Sequence, residues 1–378
     1  MSELDHGLLR KLAEWHPDDA PVTTMYLTVD GRRYPRRADY EVRLDELLRS
    51  ARAQASGLEA AAARSVEADL ERMSAFVRQD LERGDTQGVA MFSVSEAGLW
   101  EEVRVTRPVR DRAFVAPRAE LRMLEILLET YGATCAALVD YAKARIFLLQ
   151  LGRVEEVHDV WDEVPGRHDQ GGRSQMRRQR HVDDHRRQHL KHVADALFGL
   201  WKARGFEDLV LAGPGEAHRE LEGDLHEYLR QRVRAKVTLP MTASTAEVRG
   251  RTLEIEEELE RDAERSMVER LSEAVAADSG AGVGGLEDTL AALAEGRIGT
   301  LAVRLDLERP GGGCDTCGRL TADAASAACP SCGGPMRALA DVVEVAIATA
   351  YGQGCRIETV AQDDSLVDLD GIGALLRF

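Results

Sequence analysis

The sequence predicts an α/β fold class: three α/β modules in succession, the third carrying a small zinc-ribbon insertion. Three observations carry this reading. Short runs rich in β-branched and apolar residues alternate with longer amphipathic stretches, the pattern of layered sheets and helices. The chain has 378 residues and 44% hydrophobic content, enough for two or three domains at about 150 residues each. Four of its six cysteines fall in two CxxC pairs near the C-terminus, a metal-site spacing.

The elements follow in order. In a first module, 1–115, VTTMYLTV (22–29) reads as a strand and 40–81 as a long charged helical stretch. GVAMFSV (88–94) and LWEEVRV (99–105) then form a hairpin, and Pro108 and Pro117 bracket a boundary. A second module, 116–204, opens on the amphipathic helix RAELRMLEILLETYG. Strands at 135–141, 144–151 and 155–161 lead to a loop and a helix from about 175 to 202. In that helix Leu190, Val193, Ala194, Leu197, Leu200 and Trp201 keep an i, i+3, i+4 stripe. The stripe predicts that only the C-terminal half is packed and that the basic N-terminal half projects. The third module, 205–378, begins with the strand FEDLVLAG (206–213). It continues through the helix EAHRELEGDLHEYLRQRV, the strand AKVTLP, an acidic helix over 247–273, and GLEDTLAALAEGRIGTLAVRLDL as helix, glycine cap and strand. The insertion, about 311–336, precedes the helix VVEVAIATAYG, the strand CRIETVA and the tail LVDLDGIGALLRF.

The net charge is −17, which taken alone argues against a nucleic-acid partner. Between Gly166 and Lys191, however, seven Arg and one Lys stand against three Asp, so the remainder of the chain carries −22. A basic island in an acidic protein meets phosphates locally while the rest repels nonspecific RNA. The start, MSELDHGLLRKLAEW, places charges where a signal peptide needs an apolar core, and no window approaches the ~20 apolar residues of a membrane span. The expectation is a cytoplasmic protein with no membrane partner.

Cys314 and Cys317, then Cys329 and Cys332, form two knuckles, each with a glycine just after its second cysteine. Four thiolates at this spacing close a tetrahedral structural zinc site with no open position and hence no catalysis. Cys135 and Cys355 lie in strand-like runs and read as core. His181, His185 and His189 are spaced as ligands on one helix face, but interleaved Arg and Gln favour a polar, RNA-facing surface. GAGVGG (280–285) lacks the Lys-Ser/Thr of a phosphate loop, and GPG (213–215) is a strand-to-helix turn. In GRHDQGGRSQMRRQRHVDDHRRQHLKHVAD, a Gly-Gly pair precedes a basic helix. Gly171 and Gly172 permit close backbone approach. Arg167, Arg177, Arg178, Arg180, Arg186, Arg187 and Lys191 offer charge for RNA phosphates. On these residues alone, a loop ahead of a solvated helix fits equally well.

The segment GGRSQMRRQRHVDDHRRQHLKHVA resembles, without a gap, the Gly-Gly-Gln loop and following helix of the archaeal and eukaryotic class-one peptide release factors and their relative Pelota. FEDLVLAGPGEAHREL is similar to the start of that family's third domain, GLEDTLAALAEGRIGTLAV to its VEDTLKALE-type segment, and LDGIGALLRF to its closing strand. The resemblance covers about 118–378 and is nearest to the family's bacterial branch, akin to the eukaryotic peptidyl-tRNA hydrolase that rescues stalled 60S subunits. It implies a ribosome-associated protein that meets large-subunit rRNA and hydrolyses the peptidyl-tRNA ester, with a translational GTPase as a further partner through the C-terminal domain. The family's catalytic Gln position is Arg173 here, while Gln175 follows two residues on, after Ser174. The rescue hydrolases carry a Gly-Ser-Gln-like variant of the loop, so the resemblance implies Gln175 as the working side chain. The N-terminal module has no Asn-Ile-Lys-Ser codon-reading motif, which implies codon-independent action. Relatives lacking Gly-Gly-Gln that occupy the A site as hibernation factors supply the alternative, and Arg173 suits it.

Overall fold

The structure, a computed structural model, describes residues 4–15, 20–161, 174–277, 280–325, 327–361 and 364–377. The chain divides into two compact units, one formed by Met1–Thr130 with Leu259–Phe378, the other by Tyr131–Glu258.

The first unit begins with α1 (His6–Glu14), capped by Asp5, whose carboxylate accepts from the Leu8 N–H at 2.8 Å. A four-stranded antiparallel sheet of order β3-β2-β1-β4 follows, from β1 (Val22–Thr28), β2 (Gly88–Val94), β3 (Leu99–Val105) and β4 (Arg112–Ala116). Strands β1 and β2 are buried at every position. The expected long helix is two helices, α2 (Arg37–Ala55) and α3 (Ala60–Ala75), broken around Gly57 and closed by a π-helical turn at Phe76–Asp80. Their apolar faces, Leu44, Leu47 and Ala51 with Val66, Leu70 and Met73, pack on Met25, Leu27 and Met91. Strand β4 lies inside the segment read from sequence as a boundary. RAFVA is too short between its prolines to stand out by composition, but Thr24 and Phe114 are register partners. The helix α4 (Arg122–Thr130) ends this part.

The second unit is built on one five-stranded sheet of order β7-β6-β5-β8-β9. Strands β5 (Thr134–Val139), β6 (Lys143–Gln150) and β7 (Arg153–Trp161) form an antiparallel meander. The helix α5 (Ser174–Arg204) then crosses back, and β8 (Asp208–Gly213) enters the sheet parallel to β5. The helices α6 (Ala217–Asp224) and α7 (Glu227–Arg230) lead to β9 (Val233–Thr238), parallel to β8. Residues 205–258, assigned from sequence to the third module, therefore complete the second unit's sheet. A helix followed by a strand looks the same in sequence whether the strand opens a new domain or closes a crossover. Central β5 is buried throughout, whereas edge strand β9 alternates half-buried and exposed, as its neighbours require. The end of β8 packs too tightly for a side chain: a Cβ on Gly213 would lie 2.1 Å from the Val139 carbonyl.

The division between units falls within α8 (Thr245–Ala276). The first unit then resumes with β10 (Gly282–Gly284), α9 (Leu286–Ala294) and β11 (Ile298–Arg304). The ribbon strands β12 (Gly311–Cys314), β13 (Leu320–Thr321) and β14 (Met336–Leu339) come next, followed by α10 (Val342–Gly352), β15 (Arg356–Val360) and β16 (Ile372–Leu376). The main sheet here has order β10-β16-β11-β15, with β11 and β15 parallel. The ribbon is a separate sheet of order β13-β12-β14 whose Leu320 and Leu339 join the core beneath α9 and α10. Among the described residues no helix is long and apolar enough to cross a membrane.

Candidate functional site

Helix α5 spans 31 residues, about 46 Å at 1.5 Å per residue. Its packed face is set by phase. Val182, His189, Leu190, Val193, Ala194 and Leu197 are all buried, and the last four join the core of the second unit with Cys135, Ile146 and Leu211. The packed face therefore reaches back to Val182, about two turns beyond the expected break at Leu190. His189 is 0% exposed, which removes it from the polar surface assigned to the histidines, while His185 is half-buried. Arg180, Arg187 and Lys191 are exposed. Spaced i, i+7, i+11, they share the face opposite Val182 and His189.

Arg186 behaves differently from its neighbours. It is half-buried, with its guanidinium carbon 4.6 Å from the centre of the Tyr141 ring. The Tyr141 hydroxyl donates to the Glu220 carboxylate at 2.8 Å, and burial followed by that bond pushes the phenol up to about 12. Arg186 thus packs the middle of α5 against the β5–β6 turn and α6.

Of the residues expected to do chemistry, Gly171, Gly172 and Arg173 lie outside the described residues, as does Arg167. Ser174 and Gln175 open α5, and Arg177 and Arg178 follow within its first two turns.

The second unit also holds a buried imidazole. His218, in the first turn of α6, is 1% exposed, and among the described residues neither ring nitrogen has a hydrogen-bond partner. Burial, then the nearby Arg219, holds its pKa below the usual value.

In the ribbon, the four cysteine sulfurs all lie within 4.8 Å of one another, and these residues could hold a metal ion. Cys314 and Cys332 Sγ are 3.5 Å apart, and Cys317 and Cys329 Sγ are 3.6 Å apart. Four thiolates at about 2.3 Å from a tetrahedral zinc sit roughly 3.8 Å from each other, so the donor set fits that ion. The two knuckles are built alike. Gly318 N–H donates to the Cys314 carbonyl at 3.0 Å, and Gly333 N–H to that of Cys329 at 2.9 Å. Both glycines take positive φ, +75° and +71°, the turn that aims backbone N–H groups at sulfur. N–H groups of Cys317 and Thr316 reach Cys314 Sγ, and they lower that thiol to about 6. Cys329 is lowered for the same reason by Cys332 N–H. Such bonds favour the thiolate at Cys314 and Cys329, the form in which cysteine ligates a metal. Strand β12 is glycine at 311–313 because its neighbours are close: a Cβ on Gly311 would lie 2.5 Å from the Thr321 carbonyl. Cys135 and Cys355 are buried core residues, as expected.

Residues 120–257 match the family model described as bacterial archaeo-eukaryotic release factor family 10. That span begins two residues before α4 and ends within one residue of the second unit's boundary in α8. Among curated proteins, the chain is similar to peptide chain release factor subunit 1 of Methanocaldococcus jannaschii, 26% identical over 372 residues and covering 88% of each chain. It is also 26% identical over 332 residues to peptide chain release factor subunit 1 of Thermococcus onnurineus, covering 77% of this chain and 79% of that one. Among solved structures, S. cerevisiae Dom34, a translation termination-like factor, aligns at 10% identity with a TM-score of 0.44, over 77% of this chain and 79% of that one. Residues 120–257 thus match the bacterial archaeo-eukaryotic release factor family 10, and the chain over most of its length is similar to archaeal peptide chain release factor subunit 1.

Proposed function

We propose that the protein is a ribosome-associated factor that hydrolyses the ester of peptidyl-tRNA, releasing peptide from stalled ribosomes without reading a codon. One observation carries the reading: α5 presents Arg180, Arg187 and Lys191 on the face turned away from its core and starts two residues after the Gly-Gly pair. A rigid helix with phosphate-seeking charge on one side holds on to ribosomal RNA and carries the preceding segment toward the peptidyl-transferase centre. There Gly171 and Gly172 leave room for the backbone between RNA walls. Gln175, through its amide or its N–H, places water and stabilises the developing oxyanion. Neither Gln nor Arg is a general base at pH 7, so the protein contributes positioning, and proton transfer falls to the RNA and the tRNA 2′-hydroxyl.

The ribbon has a separate role in this reading. Cys314, Cys317, Cys329 and Cys332 hold one zinc ion, which ties the knuckles together and takes no part in hydrolysis. The C-terminal domain, residues 205–378 as read from the sequence, is the surface offered to a translational GTPase.

A second reading rests on Arg173. A cation at the family's glutamine position suits a hibernation factor that fills the A site and cleaves nothing. Release of labelled peptide from ribosome-bound peptidyl-tRNA by wild type and Gln175→Ala separates the two. Hydrolysis requires release by wild type that the variant loses, and hibernation requires release by neither.

A further inference from the structure

At the C-terminal end of α5, four rings lie nearly parallel. Phe198 and Trp201 come from the helix, His226 and Tyr228 from the junction of α6 and α7. Phe198 and His226 stack with centroids 4.3 Å apart at 13°, and Trp201 and Tyr228 at 5.6 Å and 20°. Phe198 with Trp201 and His226 with Tyr228 lie at 21° and 15°. The backbone explains the second pair. Chain at Leu225 and His226 is extended, the buried Leu225 and Leu229 anchor the turn, and His226 Nδ1 accepts from Tyr228 N–H. His226 and Tyr228 are thereby left on the outside.

Cations border the rings. Lys202 Nζ is 4.3 Å from the Phe198 centroid, and the Arg232 guanidinium carbon is 4.9 Å from that of Trp201. Arg230 donates to the carbonyls of Glu222, Gly223 and Leu225, and Arg232 to those of Phe206 and Tyr228. Neutral carbonyls fix these side chains without cancelling their charge. The neighbouring Glu222 and Asp208 are engaged by Lys236 and Arg234, while Glu227 stands exposed. A stack that only sealed the helix end would bury its outer ring, yet Tyr228 is 55% exposed.

We propose that this face is a second RNA contact: an unpaired base stacks on Tyr228 and continues the ring array, with its flanking phosphates in the field of Lys202, Arg230 and Arg232. Parallel rings with bordering cations match the base-and-phosphate alternation of single-stranded RNA, whose every base offers a π-face. An apolar peptide would instead favour a centre depleted of charge. The proposal rests on RNA binding by this protein, but on no hydrolytic step.

The test uses the full chain and a labelled oligoadenylate of about twelve nucleotides, within the usual range of single-strand site sizes, beside a blunt RNA duplex of equal strand length. Tyr228→Ala should weaken oligoadenylate binding by about tenfold or more, the usual loss per stacked base, and leave duplex affinity unchanged. Emission assigned to Trp201, by difference from Trp201→Phe, should be quenched on adding oligoadenylate. Arg187→Ala with Lys191→Ala should weaken both RNAs and flatten the salt dependence, so failure of the basic-helix reading appears with the duplex. Circular dichroism checks that Tyr228→Ala is folded. Wild type that does not bind oligoadenylate, a variant of unchanged affinity, or an equal loss on the duplex would each overturn the proposal. The second of these is also the result expected of a peptide-docking face.

Discussion

In the proposed reading, Gln175 carries the chemistry and Arg173, two residues before it, contributes to binding. Losing an oxyanion-type donor costs on the order of 100- to 1000-fold in rate. Gln175→Ala should lose release to that extent while keeping its ribosome affinity, because the α5 cations remain. Arg173→Ala should weaken binding modestly and retain turnover, and loss of release in Arg173→Ala alone would move the chemistry to that side chain. His218 provides a residue-scale test of the fold. Its folded pKa is depressed by burial, so below about 6.5 the unfolded chain binds the extra proton and stability falls. Chemical denaturation between pH 5 and 8 should show a loss on the acid side that His218→Leu reduces, and identical pH slopes would contradict this. The cysteines were legible in the sequence because their spacing is itself the signal. His189 was not, since a polar residue in a polar run shows no periodicity of its own. Only the phase set by Val182 and Val193, seven residues before and four after it, places it inside.

At the scale of elements, α5 is one continuous helix of 31 residues, and a proposed RNA contact lies toward each end. Replacing Arg180, Arg187 and Lys191 with Ala should lower the log–log salt slope of ribosome binding by roughly one per lost phosphate contact. An unchanged slope would mean that this face is merely solvated. The ribbon makes a separate prediction. Metal analysis should find about one zinc per chain, as a four-thiolate site requires, and Cys317→Ser should lose the metal while α5 keeps its RNA affinity. Metal-free protein with an ordered ribbon would contradict it. Strand and helix types were largely legible from apolar periodicity. Partnership was not, because β8 carries no mark that its neighbour is β5 and β4 is too short to announce itself. The stacked rings were hidden for a related reason. Trp201 reads as part of an apolar stripe, and the break at Leu225 that turns Tyr228 outward is set by backbone conformation.

At the scale of the molecule, the first unit joins the chain's two ends through buried charge. Arg110, 4% exposed, donates to the carbonyls of Arg304 and Leu307 at 3.0 and 2.7 Å, and its guanidinium faces Asp341 and Glu344. Arg112 pairs with Asp341 as well. Paired and hydrogen-bonded charges of this kind fix one arrangement of the N- and C-terminal parts, since breaking a pair would strand its partner in the interior. The basic island belongs to the second unit, inside a chain whose remainder is strongly acidic. In the proposed reading, that distribution confines RNA binding to one part of the molecule. The most direct test of the central claim is a time course of peptide release from ribosome-bound peptidyl-tRNA, with the A site empty and with a codon present. The wild-type protein should release peptide in both states at similar rates. No release in either state, with the ribosome still bound, would contradict it.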